Sequence, residues 1–119
     1  MSATKFSKQR FDNYPTVSSL NCNLLVVEAD SYRRRLIGMA LLRTPPQNTA
    51  LLLPKTSSIH TFGMYFELDL LWLDANGVLL AIDQRVAPRR LRSKRGAKSV
   101  VEAQAGLLDL ERLQIGKKI

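Results

Sequence analysis

The run Leu68-Asp69-Leu70-Leu71-Trp72-Leu73-Asp74-Ala75-Asn76-Gly77-Val78-Leu79-Leu80-Ala81-Ile82-Asp83-Gln84-Arg85-Val86 sets the architecture expected of this chain. Leu70 to Leu73 is apolar on both faces, as a strand covered from two sides must be. Asp74-Ala75-Asn76-Gly77 is a turn signal, because Gly77 takes positive φ at no steric cost. Val78 to Val86 answers as the partner strand, with Val78, Leu80, Ile82 and Val86 on one face.

On the N-terminal side of this hairpin, Ile59 to Phe66 reads with a period of two, and Ala50 to Leu53 is a short apolar strand closed by Pro54. Thr44-Pro45-Pro46 ends a helix, since a residue before proline is pushed out of the α region. That helix is expected over 31–42, capped by Asp30 or Ser31, with Tyr32, Leu36, Met39 and Ala40 on one stripe. Leu24 to Val27 reads as a strand, and residues 1–19, rich in Ser, Thr and Lys, as a poorly ordered lead-in. On the C-terminal side come a basic loop from Ala87 to Lys98, a strand at Val100 to Ala103, and one or two helical turns within Ala105 to Leu113. The expectation is one α+β domain over 20–119, mostly β.

Composition narrows the function classes. The chain has 119 residues, 45% hydrophobic and 24% charged, which are globular values. Its formal net charge of +8 is unevenly placed: residues 1–83 hold eight basic and seven acidic side chains, residues 84–119 ten and three. Cys22 is the only cysteine, so no intramolecular disulfide can form. The apolar runs are too short to span a bilayer and the start lacks the apolar core of a secretory signal, so the expected location is the cytoplasm, with no membrane partner.

The usual templates for catalysis and recognition are missing. All six glycines are isolated, so neither a dinucleotide fingerprint nor a phosphate-cradling loop can be assembled. No serine sits in a G-x-S-x-G elbow. One histidine and one cysteine are too few for an ordinary zinc site, and no cofactor or metal is expected. Pro45-Pro46 after the helix rules out a helix-turn-helix.

Six segments, in order, carry a family resemblance. Arg33-Arg34-Arg35-Leu36-Ile37-Gly38-Met39 is similar to a helical E-R-x-x-G-L-M pattern, and Ala50 to Leu53 to a G-M-L-F strand. Ser58-Ile59-His60-Thr61-Phe62-Gly63-Met64 is close to S-I-H-T-x-x-M. Leu68-Asp69-Leu70, Trp72 to Val78, and Val100-Val101-Glu102 with Ala105-Gly106 follow. Together they resemble the domain of unknown function 192 (DUF192) family, in its S-I-H-T branch. Thr56 stands where that branch often has cysteine, and Lys117 follows Gly116 where many members have aspartate. The resemblance implies a mostly β fold, with one main helix packed against a bent or barrel-like mixed sheet. It implies no activity.

The candidate site residues come from the same segments. His60 is the sole group titrating near neutrality, and on a strand it would share a face with Phe62, Met64 and Phe66; such a histidine is more often a buried neutral core residue than a ligand. Thr61 would satisfy local backbone on the other face. Asp69 and Glu102 lie between apolar neighbours, where an ionised carboxylate needs a partner; Arg35 or Arg85 are available to Asp69, or it accepts backbone N–H groups. A cleft holding Ser58, His60, Thr61, Asp69, Glu102 and Arg35 would bind a small ligand or peptide, and this binding module is the preferred reading, leaning away from an enzyme.

Two alternatives stand beside it. Arg85, Arg89, Arg90, Arg92, Lys94, Arg95 and Lys98, with no acid between Gln84 and Val101, form a candidate surface for polyanions, non-specific nucleic acid or an acidic protein surface. A solvated loop is the plain alternative for that run. Finally, a hydrolase could pair His60 with a carboxylate if the two converge.

Overall fold

The computed structural model describes residues 10–119. Along the chain come β1 (Thr16–Val17), β2 (Leu25–Glu28), α1 (Tyr32–Ile37), β3 (Thr49–Pro54), β4 (Ser58–His60), β5 (Leu68–Leu73), β6 (Leu79–Val86), β7 (Leu91–Ser93), β8 (Ser99–Gln104) and a 3₁₀ turn at Leu110–Arg112. Six strands form one mixed sheet in the order β1-β2-β3-β8-β5-β6; β4 and β7 pair separately as a two-stranded ribbon. All neighbours in the large sheet are antiparallel except β2 and β3, which run parallel. A parallel pair needs a crossover, and α1 lies in that connection.

The central strands are covered on both faces, and strict alternation divides their side chains between two cores. Leu51 and Leu53 of β3, Leu68, Leu70 and Trp72 of β5, and Val100 of β8 pack on one face with Met39, Ile59 and Met64. Ala50, Leu71, Leu73, Val101 and Ala103 pack on the other with Leu24, Val26, Leu108 and Ile119. The expected hairpin of β5 and β6 forms around a turn in which Asp74 Oδ1 accepts from the Asn76 and Val78 N–H groups, and Gly77 has φ +80. Trp72 is wholly buried, and its indole N–H donates to Asp83 Oδ2 at 2.9 Å, which satisfies the one polar atom that burial would otherwise orphan.

Several expectations need correcting. The sheet is open at β1 and β6, so it is mixed but not a closed barrel. The helix spans six residues, not twelve. Ser31 caps its start by accepting from Arg34 N–H, but the chain leaves the helix at Gly38, which has φ +51. Met39 and Ala40 are buried from the loop that follows, while Tyr32 and Leu36 stay exposed, so no helical stripe docks on the sheet.

The strand expected over 59–66 stops at His60, because Thr61 turns the chain; Phe62 is exposed, Met64 is buried, and His60 shares no strand face with them. The basic run is not a free loop either. Its middle is β7, in register with β4 through Ser58–Ser93, Ile59–Arg92 and His60–Leu91. Of the expected lead-in, residues 1–9 lie outside the described residues; within the rest, Phe11 is buried in the first core and β1 pairs with β2.

Candidate functional site

Glu102 sits in the middle of β8, paired with Leu51 on one side and Leu70 on the other, so its side chain rises from the centre of the sheet on the Met39 face. It is 3% exposed, and its Oε1 has no hydrogen-bond partner among the described residues. Burial pushes its carboxyl up to about 7 from 4.5, opposed only by a backbone hydrogen bond from Met39. Gly38 makes room for it: a Cβ there would lie 3.0 Å from Glu102 Oε1. The early end of α1 and the burial of Glu102 are thus one feature. A residue with a side chain could neither adopt φ +51 easily nor clear the carboxyl.

Above Glu102 opens a cavity of about 340 Å³. Its walls are α1 with Gly38 and Met39 on one side, and Lys55 to His60 on the other. Met39, Leu53, Ile59 and Met64 give it an apolar lining, while Arg35, Lys55 and His60 bring hydrogen-bond donors. Neither Arg35 nor Lys55 has a carboxylate partner among the described residues. His60 Nδ1 accepts from Phe62 N–H at 3.2 Å, which leaves the proton of the neutral ring on Nε2. The loop forming one wall is braced from beneath, since Arg10 donates to the Gly38 and Ala40 carbonyls. A second depression, about 640 Å³, runs along Phe11, Leu42, Pro45 and Pro46, but none of the three buried polar side chains among the described residues, Thr61, Asp69 and Glu102, lines it.

Of the residues expected to share a cleft, Arg35, Ser58, His60 and Glu102 do line this cavity. Thr61 and Asp69 do not. Thr61 is fully buried: its hydroxyl donates to Ala87 O at 2.7 Å and accepts from Arg90 N–H at 2.8 Å, tying the β4 end to the basic segment. Asp69 lies on the opposite face of the sheet, accepting from Arg85 N–H at 2.9 Å and Gly106 N–H at 3.0 Å. Arg85, at φ +51, marks an irregularity in β6 that Asp69 holds in place. Among the described residues, no group of three or more His, Cys, Asp or Glu is placed to hold a metal ion, and no helix is long and apolar enough to cross a membrane.

A family model described as an uncharacterised ACR, DUF192, matches residues 17–119. The chain belongs to the DUF192 family. This DUF192 chain is 32% identical over 97 residues to a UPF0127 protein of Thermococcus sibiricus; the match takes in 76% of the chain and 62% of that protein, so the chain spans less than two thirds of its relative's length. Two crystal structures share the fold. One, from Sinorhizobium meliloti and provisionally described as a transcription regulator, has a TM-score of 0.68 at 20% identity, covering 80% of this chain and 79% of its own. The other, a protein of unknown function from Novosphingobium aromaticivorans, has a TM-score of 0.68 at 14% identity, covering 94% and 96%.

Within the DUF192 segments, sequence reasoning missed Gly38, Met39 and Lys55 as cavity residues. Gly38 did carry a signal: a glycine beside a helix expected to continue invites a test for positive φ. Lys55, also at positive φ (+54), follows Pro54 at the end of β3 and carried none.

Proposed function

We propose that this DUF192 domain is a binding module for a small organic anion, held in the cavity between α1 and β4. The observation that carries this reading is the unpartnered, buried Glu102 Oε1 at the base of a cavity otherwise rich in donors. A buried polar atom without a partner is destabilising. A ligand oxygen accepting from the protonated carboxyl, or a ligand donor on its Oε1, relieves that deficit. Arg35, Lys55 and His60 favour an acceptor-rich, negatively charged group nearer the mouth, and the apolar lining favours a hydrocarbon body. At about 340 Å³ the cavity suits a molecule at the small end of the usual ligand range.

Two-dimensional NMR titration against a panel of small mono- and dicarboxylates and phosphate esters tests this. The expected result is shift changes confined to 35–39, 53–60 and 102, with binding weakened at least about tenfold by Arg35→Ala or Glu102→Leu, as loss of one charge-assisted hydrogen bond implies. Binding that maps elsewhere, or is indifferent to both variants, overturns it. A second reading has one observation in its favour, that His60 and Glu102 share the cavity. A hydrolase of that kind would turn over an ester or phosphoester panel and lose the turnover, with folding intact, in His60→Ala.

A further inference from the structure

We infer that β7 and the basic segments at its two ends form a docking surface for the phosphate backbone of duplex nucleic acid, a site separate from the cavity. From Arg85 to Lys98 the chain carries seven cations and no carboxylate. Of these seven, only Arg85 has an ion-pair partner among the described residues, Glu67 at 3.4 Å. The guanidinium groups of Arg90 and Arg92 reach only backbone carbonyls of this same segment, those of Pro88, Arg89 and Leu91.

What distinguishes this run from an ordinary solvated loop is how firmly it is held. Thr61 N–H donates to Arg90 O and Thr61 O accepts from Arg89 N–H, in addition to the two bonds of the Thr61 hydroxyl. Lys94 N–H donates to Ser57 O, Thr56 N–H to Lys98 O, and Lys98 N–H to Leu73 O. Arg89 is kept at φ +64, a conformation a non-glycine residue adopts only when its surroundings impose it. A segment held this way presents its cations from a preorganised backbone, so less ordering is needed when an anion binds.

Three features favour a duplex phosphate backbone over other anions. Five of the seven cations are arginines, whose planar fork matches phosphate oxygens. Arg92 sits on the short ribbon outside the main sheet and Arg89, Arg90, Lys94 and Arg95 in the segments at the two ends of β7, so the cations flank a projecting two-stranded element, a shape that a duplex groove admits. No aromatic residue occurs between Arg85 and Lys98 on which unpaired bases could stack, which disfavours single strands.

Fluorescence anisotropy with a labelled 20-bp DNA duplex across a KCl series tests the inference on the full chain. With about five phosphates contacted, log K falls with a slope of about −4.5 against log salt, or roughly 500-fold between 50 and 200 mM. Changing Arg89, Arg90, Arg92 and Arg95 together to Glu abolishes binding, while the same net change at Arg33, Arg43, Lys117 and Lys118 weakens it much less; circular dichroism checks both proteins for folding. Replacing the same four arginines by Gln weakens binding by a smaller factor. Equal loss in the two charge-reversal sets overturns the inference, because bulk charge then suffices. So does polyglutamate binding as tightly as the duplex, which assigns the surface to acidic proteins. Mapping of the duplex to the cavity instead of the ribbon also overturns it.

Discussion

Asp69 and Glu102 stand on neighbouring strands one residue out of register, and so point to opposite faces of the sheet. Leu70 is the partner of Glu102, and Ala103 that of Asp69. Cross-strand partners share a face and successive residues alternate, so Glu102 joins the Met39 core while Asp69 joins the side of Leu71 and Leu73. Two buried carboxyls close in the sheet therefore have unrelated tasks. One is supplied with two backbone N–H donors and holds an irregular edge; the other lacks a partner for Oε1 and faces a cavity.

Asp69→Asn separates these tasks. An amide can accept from only one of the Arg85 and Gly106 N–H groups and turns a donor toward the other. The expected cost is about 2–3 kcal/mol of stability, the scale of a lost charge-assisted hydrogen bond with a buried mismatch. Urea unfolding measures it. Ligand binding at the cavity, on the other face, stays unchanged once the protein is folded.

Glu102 predicts a pH dependence of the opposite kind from the usual carboxylate. Its folded-state value, about 7, lies above the unfolded value of 4.5, so the folded chain holds a proton that the unfolded chain has released across that interval. Stability from this group is full below about pH 4.5 and is lost as pH rises through 7, by on the order of 3 kcal/mol in total. Urea midpoints between pH 5 and 8 check it. The fall, taken as the difference from Glu102→Gln, which has no proton to lose, is the quantity expected; a variant with the same pH profile as the natural chain contradicts it.

The legible part of this molecule is the part governed by local rules. The two-faced apolar run at Leu70 to Leu73 and the Asp74–Gly77 turn form as expected, because periodicity and turn chemistry act within a few residues. The answering strand forms too, but irregularities in its pairing put Leu80 and Val86 with one core and Ile82 with the other, not on one face. What escaped was long-range. The helix stripe through Met39 and Ala40 is broken because Gly38 must accommodate a carboxyl from a strand more than sixty residues away. Likewise the basic run is a paired strand because Thr61, read only as a local hydrogen bonder, bonds to Ala87 and Arg90. Asp69 could be grouped with His60 and Glu102 only while the β5–β8 register was unknown, since a shift of one residue exchanges the faces.

Gly38→Ala tests the fit between the end of α1 and the carboxyl beneath it. The added methyl is strained by φ +51 and meets Glu102 Oε1 at 3.0 Å. Backbone strain alone costs about 1–2 kcal/mol, and displacement of the carboxyl adds to it. In a Glu102→Ala background the second contribution disappears, so the double-mutant cycle is expected to give a coupling of at least about 0.5 kcal/mol. Additive effects would mean that Gly38 serves only the backbone turn.

Thr61→Val keeps the shape of the side chain and removes its hydroxyl. Ala87 O loses a donor and Arg90 N–H loses an acceptor in a site with no solvent access, so a destabilisation of about 1–3 kcal/mol is expected. The more telling readout is local. The bond from Thr61 N–H to Arg90 O remains, but the Arg90 amide itself is released, and its hydrogen exchange accelerates well beyond that of amides in β3 and β8. Because the hydroxyl is one of the ties that hold the basic segment beside β4, losing it loosens Arg89 and Arg90 and makes the placement of their charges less preorganised. Duplex binding by this variant should therefore weaken although no charge has changed. Unaltered exchange at Arg90 together with unaltered binding would show that the ribbon is held by β-pairing alone, and that Thr61 contributes stability without positioning the charges.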